Sequence, residues 1–366
     1  MNLSWPMNVP VLGDGVVTLR AHVPGDIDAM LEMANDPQMT RWTAIPTPHT
    51  RAMSEQFAFA VIPRGWDDGT IRGWAIEVDG RYAGNVDIRQ KPIADIGFAL
   101  HPWARGRGVM AAAVRLAVDW ALTEGGVEIV HWRSHVGNEA SLRVAHATGF
   151  VLHGLVPGLL HERGQVLDAW TGSFRFGDSP VPATRWAEAT VLESDRLRLR
   201  PFAESDVPRL VEACTDPLSR HFLAALPHPY TPAVARSHLH DCLWQAATGA
   251  KATWAVADLA TDELLGNIAV MDILGVDGDS GEIGYWMHPA ARGRGLMTEA
   301  TGMVVRHALD PDGLDRRRLT LYAAVDNPAS NAIAEVSGFT HYGTQRAAER
   351  LGDGSFDDLR GYEILR

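Results

Sequence analysis

Two tetrapeptides carry the strongest chemical signal in this chain, Arg105-Gly106-Arg107-Gly108 and Arg292-Gly293-Arg294-Gly295. Each follows an apolar run ending in His-Pro, at His101 and His288, and each opens a stretch with helical spacing. In the first copy Val109, Ala113, Leu116, Ala117 and Trp120 recur as one face of an amphipathic helix. A helix that starts on glycines presents unpaired backbone N–H groups, here around Val109-Met110 and Leu296-Met297-Thr298, which suit a pyrophosphate. The glycines let the main chain come close to the ligand, and the arginines add charge-assisted contacts. A plain tight turn is the alternative for one copy alone, and recurrence in the same strand–loop–helix context favours the phosphate. The spacing is not G-x-G-x-x-G, and no Gly-Lys-Ser/Thr follows, so the expected ligand is a phosphate-bearing carrier rather than a nucleotide being hydrolysed.

The elements that must position these loops also occur twice, with Ile96–Met110 aligning with Ile283–Met297 at an offset of 187 residues. Val16 to Arg20 corresponds to Arg196 to Arg200, each followed by an acidic helix start and then by Asp36-Pro37 or Asp216-Pro217. Trp74 to Val78 and Trp254 to Asp258 alternate as strands and turn at Asp79-Gly80 and Thr261-Asp262. Asn138 and Ser141 before Gly149-Phe150 return as Asn327 and Ser330 before Gly338-Phe339. Each half reads as strand, helices, three antiparallel strands, the helix after the glycines, a strand, a helix and terminal strands. The class is α+β (mixed α/β), a mostly antiparallel central sheet flanked by helices, present twice and related by a pseudo-twofold. Turn formers from Gly177 to Thr184 place a linker at 177–187 between domains 1–176 and 188–366.

Composition narrows the class further. Net charge is −12, and neither half is the basic body of a nucleic-acid binder, with 15 basic and 19 acidic residues up to residue 180. An acidic surface favours cationic partners, amines included. Cys214 and Cys242 have no zinc or disulfide spacing. The pairs His131/His135 and His238/His240 lack a third ligand, so no metal is expected. There is no apolar run of membrane length and no basic leader, so a cytoplasmic location away from membranes is expected. Trp42, Trp66 and Trp244 are candidate substrate-wall residues, whereas Trp74 and Trp254, at equivalent strand positions, suit the core.

The run of acidic-Ile-Gly-aromatic, His-Pro, Arg-Gly-Arg-Gly, helix, strand, Asn-x-x-Ser and Gly-Phe resembles the GNAT superfamily of acyl-CoA-dependent N-acetyltransferases. Within it both halves resemble the branch that acetylates the N-terminal α-amines of ribosomal proteins, and the likeness covers nearly the whole chain. The resemblance implies acetyl-CoA as co-substrate, bound by His288, Arg292, Gly293, Arg294, Gly295, Leu296, Met297, Thr298 and Asn327 in the second half. In the first half it implies Arg105, Gly106, Arg107, Gly108, Val109, Met110 and Asn138. It further implies a strand bulge near Ala99-Leu100-His101 and Trp286-Met287-His288, with freed amides polarising the thioester for direct attack by an amine.

That reaction needs an oxyanion site, a base for the ammonium proton and a donor to the leaving thiolate. Glu282, on one strand face with Gly284, Trp286 and His288, is the base candidate, and Asp95 is its shorter counterpart. Many members of the superfamily donate from a tyrosine at the positions of Ala145 and Ala334; the ribosomal-protein branch has a serine that Ser141 and Ser330 match. Serine and asparagine at these places also suit helix capping. Thr298-Glu299 against Ala111-Ala112, and Glu282 against Asp95, favour activity in the second half. The expected acceptor is a peptide N-terminus or a small cationic molecule, and the chain is expected to be an intramolecular pseudo-dimer, monomeric or homodimeric. The alternative is an acyl-CoA-binding sensor or scaffold with one or both halves inactive.

Overall fold

The computed structural model describes residues 9–90, 93–275 and 278–366, so the start of the chain, on which the leader expectation falls, lies outside the described residues. The chain divides into two compact units, Met1–Ala183 and Thr184–Arg366. Unit one runs β1 (Leu12–Gly13), β2 (Thr18–Arg20), α1 (Ile27–Ala34), α2 (Pro37–Trp42), α3 (Arg51–Gln56), α4 (Ile62–Asp68), β3 (Ile71–Val78), β4 (Arg81–Arg89) and β5 (Asp95–Leu100). It continues through α5 (Val109–Thr123), β6 (Ile129–His135), α6 (Glu139–Ala147), β7 (Val151–Glu162) and β8 (Gln165–Arg175). Unit two repeats the plan as β9 (Leu192–Glu193), β10 (Leu197–Arg200), α7 (Val207–Thr215), α8 (Pro217–Phe222), α9 (Pro232–Ala247), β11 (Ala252–Asp258), β12 (Leu264–Met271) and β13 (Ser280–Met287). It ends with α10 (Leu296–Leu309), β14 (Arg318–Ala324), α11 (Pro328–Val336), β15 (Thr340–Arg350) and β16 (Phe356–Leu365).

Each unit holds one eight-stranded sheet, ordered β1-β2-β3-β4-β5-β6-β8-β7 and β9-β10-β11-β12-β13-β14-β16-β15. Pairing is antiparallel except between β5 and β6 and between β13 and β14. Asp79 and Gly80 both take positive φ, 52° and 71°, the backbone that a tight two-residue hairpin between β3 and β4 requires. Trp74 and Trp254 are fully buried, and each indole N–H reaches back to a carbonyl before its unit's first strand, Pro10 at 3.0 Å and Thr190 at 2.8 Å. Apolar faces of α5 and α10 pack on the sheets through Ala113, Ala117, Ala300 and Val304.

The segment expected to link the domains is packed against them. Chain near Ser179 and Val181 crosses directly over Gly149, where a Cβ would lie 2.2 Å from the Ser179 carbonyl oxygen. Ala187 is buried and donates its N–H to Ala246 at 2.9 Å. Among the described residues no helix is long and apolar enough to cross a membrane.

Candidate active site

Both sheets open at the same place. β13 pairs with β14 only from Ser280 to Ile283, and β5 with β6 only at Asp95 and His131, although β6 and β14 continue on their other edges to His135 and Ala324. Past those points the strands diverge and leave a cleft in each unit, about 1330 Å³ in the first and about 630 Å³ in the second.

The backbone at the split follows from the ladder. His288 donates its N–H to Leu265 at 2.8 Å and His101 to Ala83 at 2.8 Å, so both amides are consumed. Because hydrogen-bonding edges alternate along an antiparallel strand, Met287 and Tyr285, like Leu100 and Phe98, turn their amides the other way, toward the opening. The expected bulge is not found there: pairing of β12 with β13 is unbroken from Gly266↔Met287 to Met271↔Glu282. Register shifts lie elsewhere, at Ile76/Glu77 and Val256/Ala257, so divergence from the parallel neighbour is what frees the amides.

The glycine loops line both clefts. Gly106, Gly108, Gly293 and Gly295 have φ between 71° and 75°, a left-handed conformation that glycine adopts without strain. Among the described residues nothing lies within 4 Å of where a Cβ would stand on any of the four, so the main chain is bare. Helices α5 and α10 begin on Gly108 and Gly295 with no side-chain cap, whereas nearby α6 and α11 are capped by Asn138 and Asn327. Bare first-turn N–H groups at the positive end of a helix dipole form an anion cradle. Leu296, Met297 and Thr298 line the second cleft, and Val109 and Met110 the first.

Several residues expected to touch the coenzyme are committed to the scaffold. Arg292 donates to Asp216 at 2.7 Å, to Ser219 at 2.8 Å and to the Met287 carbonyl at 3.3 Å. Arg105 likewise ties Asp36 at 2.7 Å to the Leu100 carbonyl at 3.2 Å. These guanidiniums brace the loop against a helix start, and Arg107 and Arg294 are the exposed pair. His288 is buried outside the cleft lining, with Nδ1 accepting from Ala290 N–H and Nε2 at 3.0 Å from Glu212. Asn138 and Asn327 line their clefts while capping through Oδ1, accepting from the Ser141 and Ser330 amides at 3.2 Å and 3.1 Å. Glu299 hydrogen-bonds Ser194 at 2.6 Å and pairs with Arg196, away from the cleft. Trp42 lines the first cleft, but Trp66 packs at 5.1 Å and 5.3 Å on Trp74 and Trp120, and Trp244 lies outside the second cleft's lining.

The two carboxylates differ sharply. Asp95 is buried and takes two directed bonds from Arg133, at 2.6 Å and 3.1 Å, so its lone pairs are engaged. Glu282 lines the second cleft, and among the described residues no side chain hydrogen-bonds to its carboxylate. Burial first, then the charges of Asp272 and Glu349, raises its pKa above the ordinary carboxylate value.

The serines were legible in sequence, but not their partners. Ser330 Oγ lies 2.9 Å from the hydroxyl of Tyr285, whose pKa burial pushes up to about 12. Ser141 Oγ accepts from the indole N–H of Trp132 at 3.0 Å. Tyr285 and Met287 pack on the core beneath α10, whereas Trp286 packs under α7 and α9, so Glu282 and Tyr285 belong to opposite faces of β13.

Residues 17–151 and 196–340 each match the family described as acetyltransferase (GNAT) domain, and the chain therefore belongs to that family and carries its domain twice. The ribosomal-protein-serine acetyltransferase of Escherichia coli is 35% identical over 101 residues, 28% of this chain and 54% of that protein. The putative ribosomal N-acetyltransferase YdaF of Bacillus subtilis is 33% identical over 85 residues, 23% of this chain and 45% of that protein. The matched region thus spans about half the length of these relatives. A solved ribosomal L7/L12 α-N-protein acetyltransferase in complex with coenzyme A is also similar, at 24% identity and a TM-score of 0.42, covering 48% of this chain and 97% of its own.

Proposed function

We propose that this chain is an acetyl-CoA:amine N-acetyltransferase whose second unit acetylates a peptide α-amine. The observation that carries the reading is the conjunction at β13: an uncapped helix start on bare glycines, a diverging strand with inward amides, and an unpaired carboxylate with raised pKa. Membership in the acetyltransferase family supports it, and the names of the two curated relatives support a peptide terminus as acceptor.

In this reading the first-turn amides of Leu296, Met297 and Thr298, with Gly293 and Gly295, hold the coenzyme diphosphate, and Asn327 adds a contact. The corresponding cradle in unit one is Gly106, Gly108, Val109 and Met110, with Asn138. Glu282 accepts the ammonium proton, directly or through water, and the freed amine attacks the thioester carbonyl. Met287 N–H donates to the oxygen that gains charge. As the C–S bond breaks, Ser330 gives its proton to the thiolate, with the Tyr285 hydroxyl donating to Ser330 Oγ. Base and acid stand on opposite faces of the sheet, and the split lets the two substrates meet between them.

The test is release of free thiol from acetyl-CoA with peptides beginning in serine or alanine. Glu282→Gln should lower peptide-dependent release at least about a hundredfold, the scale of general base catalysis. Undiminished release in Glu282→Gln, or coenzyme binding with no release from any amine or peptide, contradicts the proposal.

A further inference from the structure

We propose that unit one is a second acyl-transfer site, in which Asp87 is the base and the acceptor is a primary amine with a large apolar body. The inference rests on the coenzyme reading above. It starts from a substitution between the halves. Gly84-Asn85 and Gly266-Asn267 fix the register of equivalent strands, so Asp87 and Arg89 of unit one replace Ala269 and Met271 of unit two. At the matching glycines of the next strand, a Cβ on Gly284 would lie 2.5 Å from the Met271 methyl. A Cβ on Gly97 would instead lie 3.1 Å from Asp87 Oδ1 and 2.7 Å from the Arg89 guanidinium. Unit one therefore holds a carboxylate and a guanidinium where unit two holds a methyl and a thioether.

The position suits proton removal. Asp87 pairs with Gly97, two residues nearer the Leu100 amide than Asp95 is, so the carboxylate has moved one strand over and two register pairs toward the reacting end. It lines the first cleft and is 5% exposed. Arg89 pairs with it, Nη2 donating to Oδ2 at 3.3 Å and Nε lying 2.7 Å from Oδ1, yet among the described residues no donor directs a hydrogen to Oδ1, in contrast with Asp95, which takes a bond on each oxygen. Burial also raises the Asp87 pKa. Arg89, Asp95, Arg133 and the His135–Glu162 pair also line this cleft.

The walls give the acceptor class. The first cleft has about twice the volume of the second and exceeds the usual range of about 300–1,000 Å³ for small-ligand sites. Met30, Met33, Met39 and Met53 line it together with Trp42 and Phe57, an apolar and adaptable surface. Phe57–Val61 forms a π-helical turn between α3 and α4, and π turns of this kind recur at functional sites. In unit two that place is taken by the uninterrupted α9, no described residue of which lines the second cleft.

The step balances. The ammonium gives one proton to Asp87 and on to water, and nitrogen bonds the thioester carbon. The C–S bond breaks, and the second proton of the attacking nitrogen replaces the one that Ser141 donates to the thiolate. Products are the amide, the free thiol and one proton.

The experiment follows thiol release from acetyl-CoA with 4-phenylbutylamine and 1-naphthylmethylamine, with ethylamine and a serine-initiated peptide alongside. The bulky amines should turn over, ethylamine should be poorer at least about tenfold, and Asp87→Asn should lower bulky-amine release about a hundredfold while the peptide reaction persists as an internal control of folding. Glu282→Gln should give the reverse pattern. Bulky-amine release that survives Asp87→Asn, or that disappears in Glu282→Gln, overturns this inference. Peptide release without any bulky-amine release also overturns it while leaving the second-unit reading intact; no release with any acceptor defeats both.

Discussion

At the scale of single residues, the two carboxylates at equivalent places, Glu282 and Asp95, differ in whether an arginine hydrogen-bonds to them. Glu282 and Asp95 stand at the same place in their repeats, and one methylene is the difference that sequence shows. The larger difference is Arg133, whose position in the second repeat is taken by Tyr322, so only Asp95 is neutralised. Replacing Arg133 by Met should leave Asp95 buried without its partner and destabilise unit one by about 2 kcal/mol, measured by urea denaturation. Glu282 carries the opposite sign. A raised folded pKa means that the protonated form is favoured on folding, so stability from this group is present at low pH and lost as pH rises through the folded value. Glu282→Gln should therefore raise the melting temperature slightly at neutral pH while removing peptide turnover. The same shift moves the acid limb of the peptide reaction's pH–rate profile above the ordinary glutamate value of about 4.3, and Glu282→Gln should abolish that limb.

At the scale of elements, function resides in how one helix begins and where two strands part. Arg-Gly-Arg-Gly announced the helix start, because left-handed φ at alternate positions leaves little choice but glycine. Gly295→Ala should cost about 1 kcal/mol in strain and place a methyl in the cradle. We expect weaker coenzyme binding at unit two with unit one unaffected, read by calorimetry against the wild type. Arg105 and Arg292 brace the loop instead, since a guanidinium beside a glycine loop serves equally well for that, and Asp36 and Asp216 lie too far away in sequence to be seen as partners. His288 misled for a similar reason: its imidazole caps the turn that leads into the loop. The partners of the serines were invisible because Trp132 and Tyr285 come from strands that do not correspond in the two repeats, and only folding brings them to equivalent hydroxyls. Tyr285→Phe should lower kcat of the peptide reaction several-fold with little change in coenzyme affinity, and should have no further effect once Ser330 is alanine.

At the scale of the molecule, the duplication was the easiest feature to read and the divergence of the halves the hardest. Repeated strand, helix and turn signals fixed two α+β units because they are local, and each sheet follows from burying the same apolar faces. The difference between the clefts arises from cross-strand pairs such as Asp87 opposite Gly97 and Ala269 opposite Gly284, with Met271 reaching diagonally to the latter, which depend on register and have no local signature. Two bare helix starts, one in each unit, should each grip the diphosphate of a thioester carrier. Isothermal titration of acetyl-CoA into the intact protein decides this. Saturable heat corresponding to two equivalents per chain, falling to one in Gly295→Ala, is the predicted result; no heat, or two equivalents retained in that variant, would contradict it.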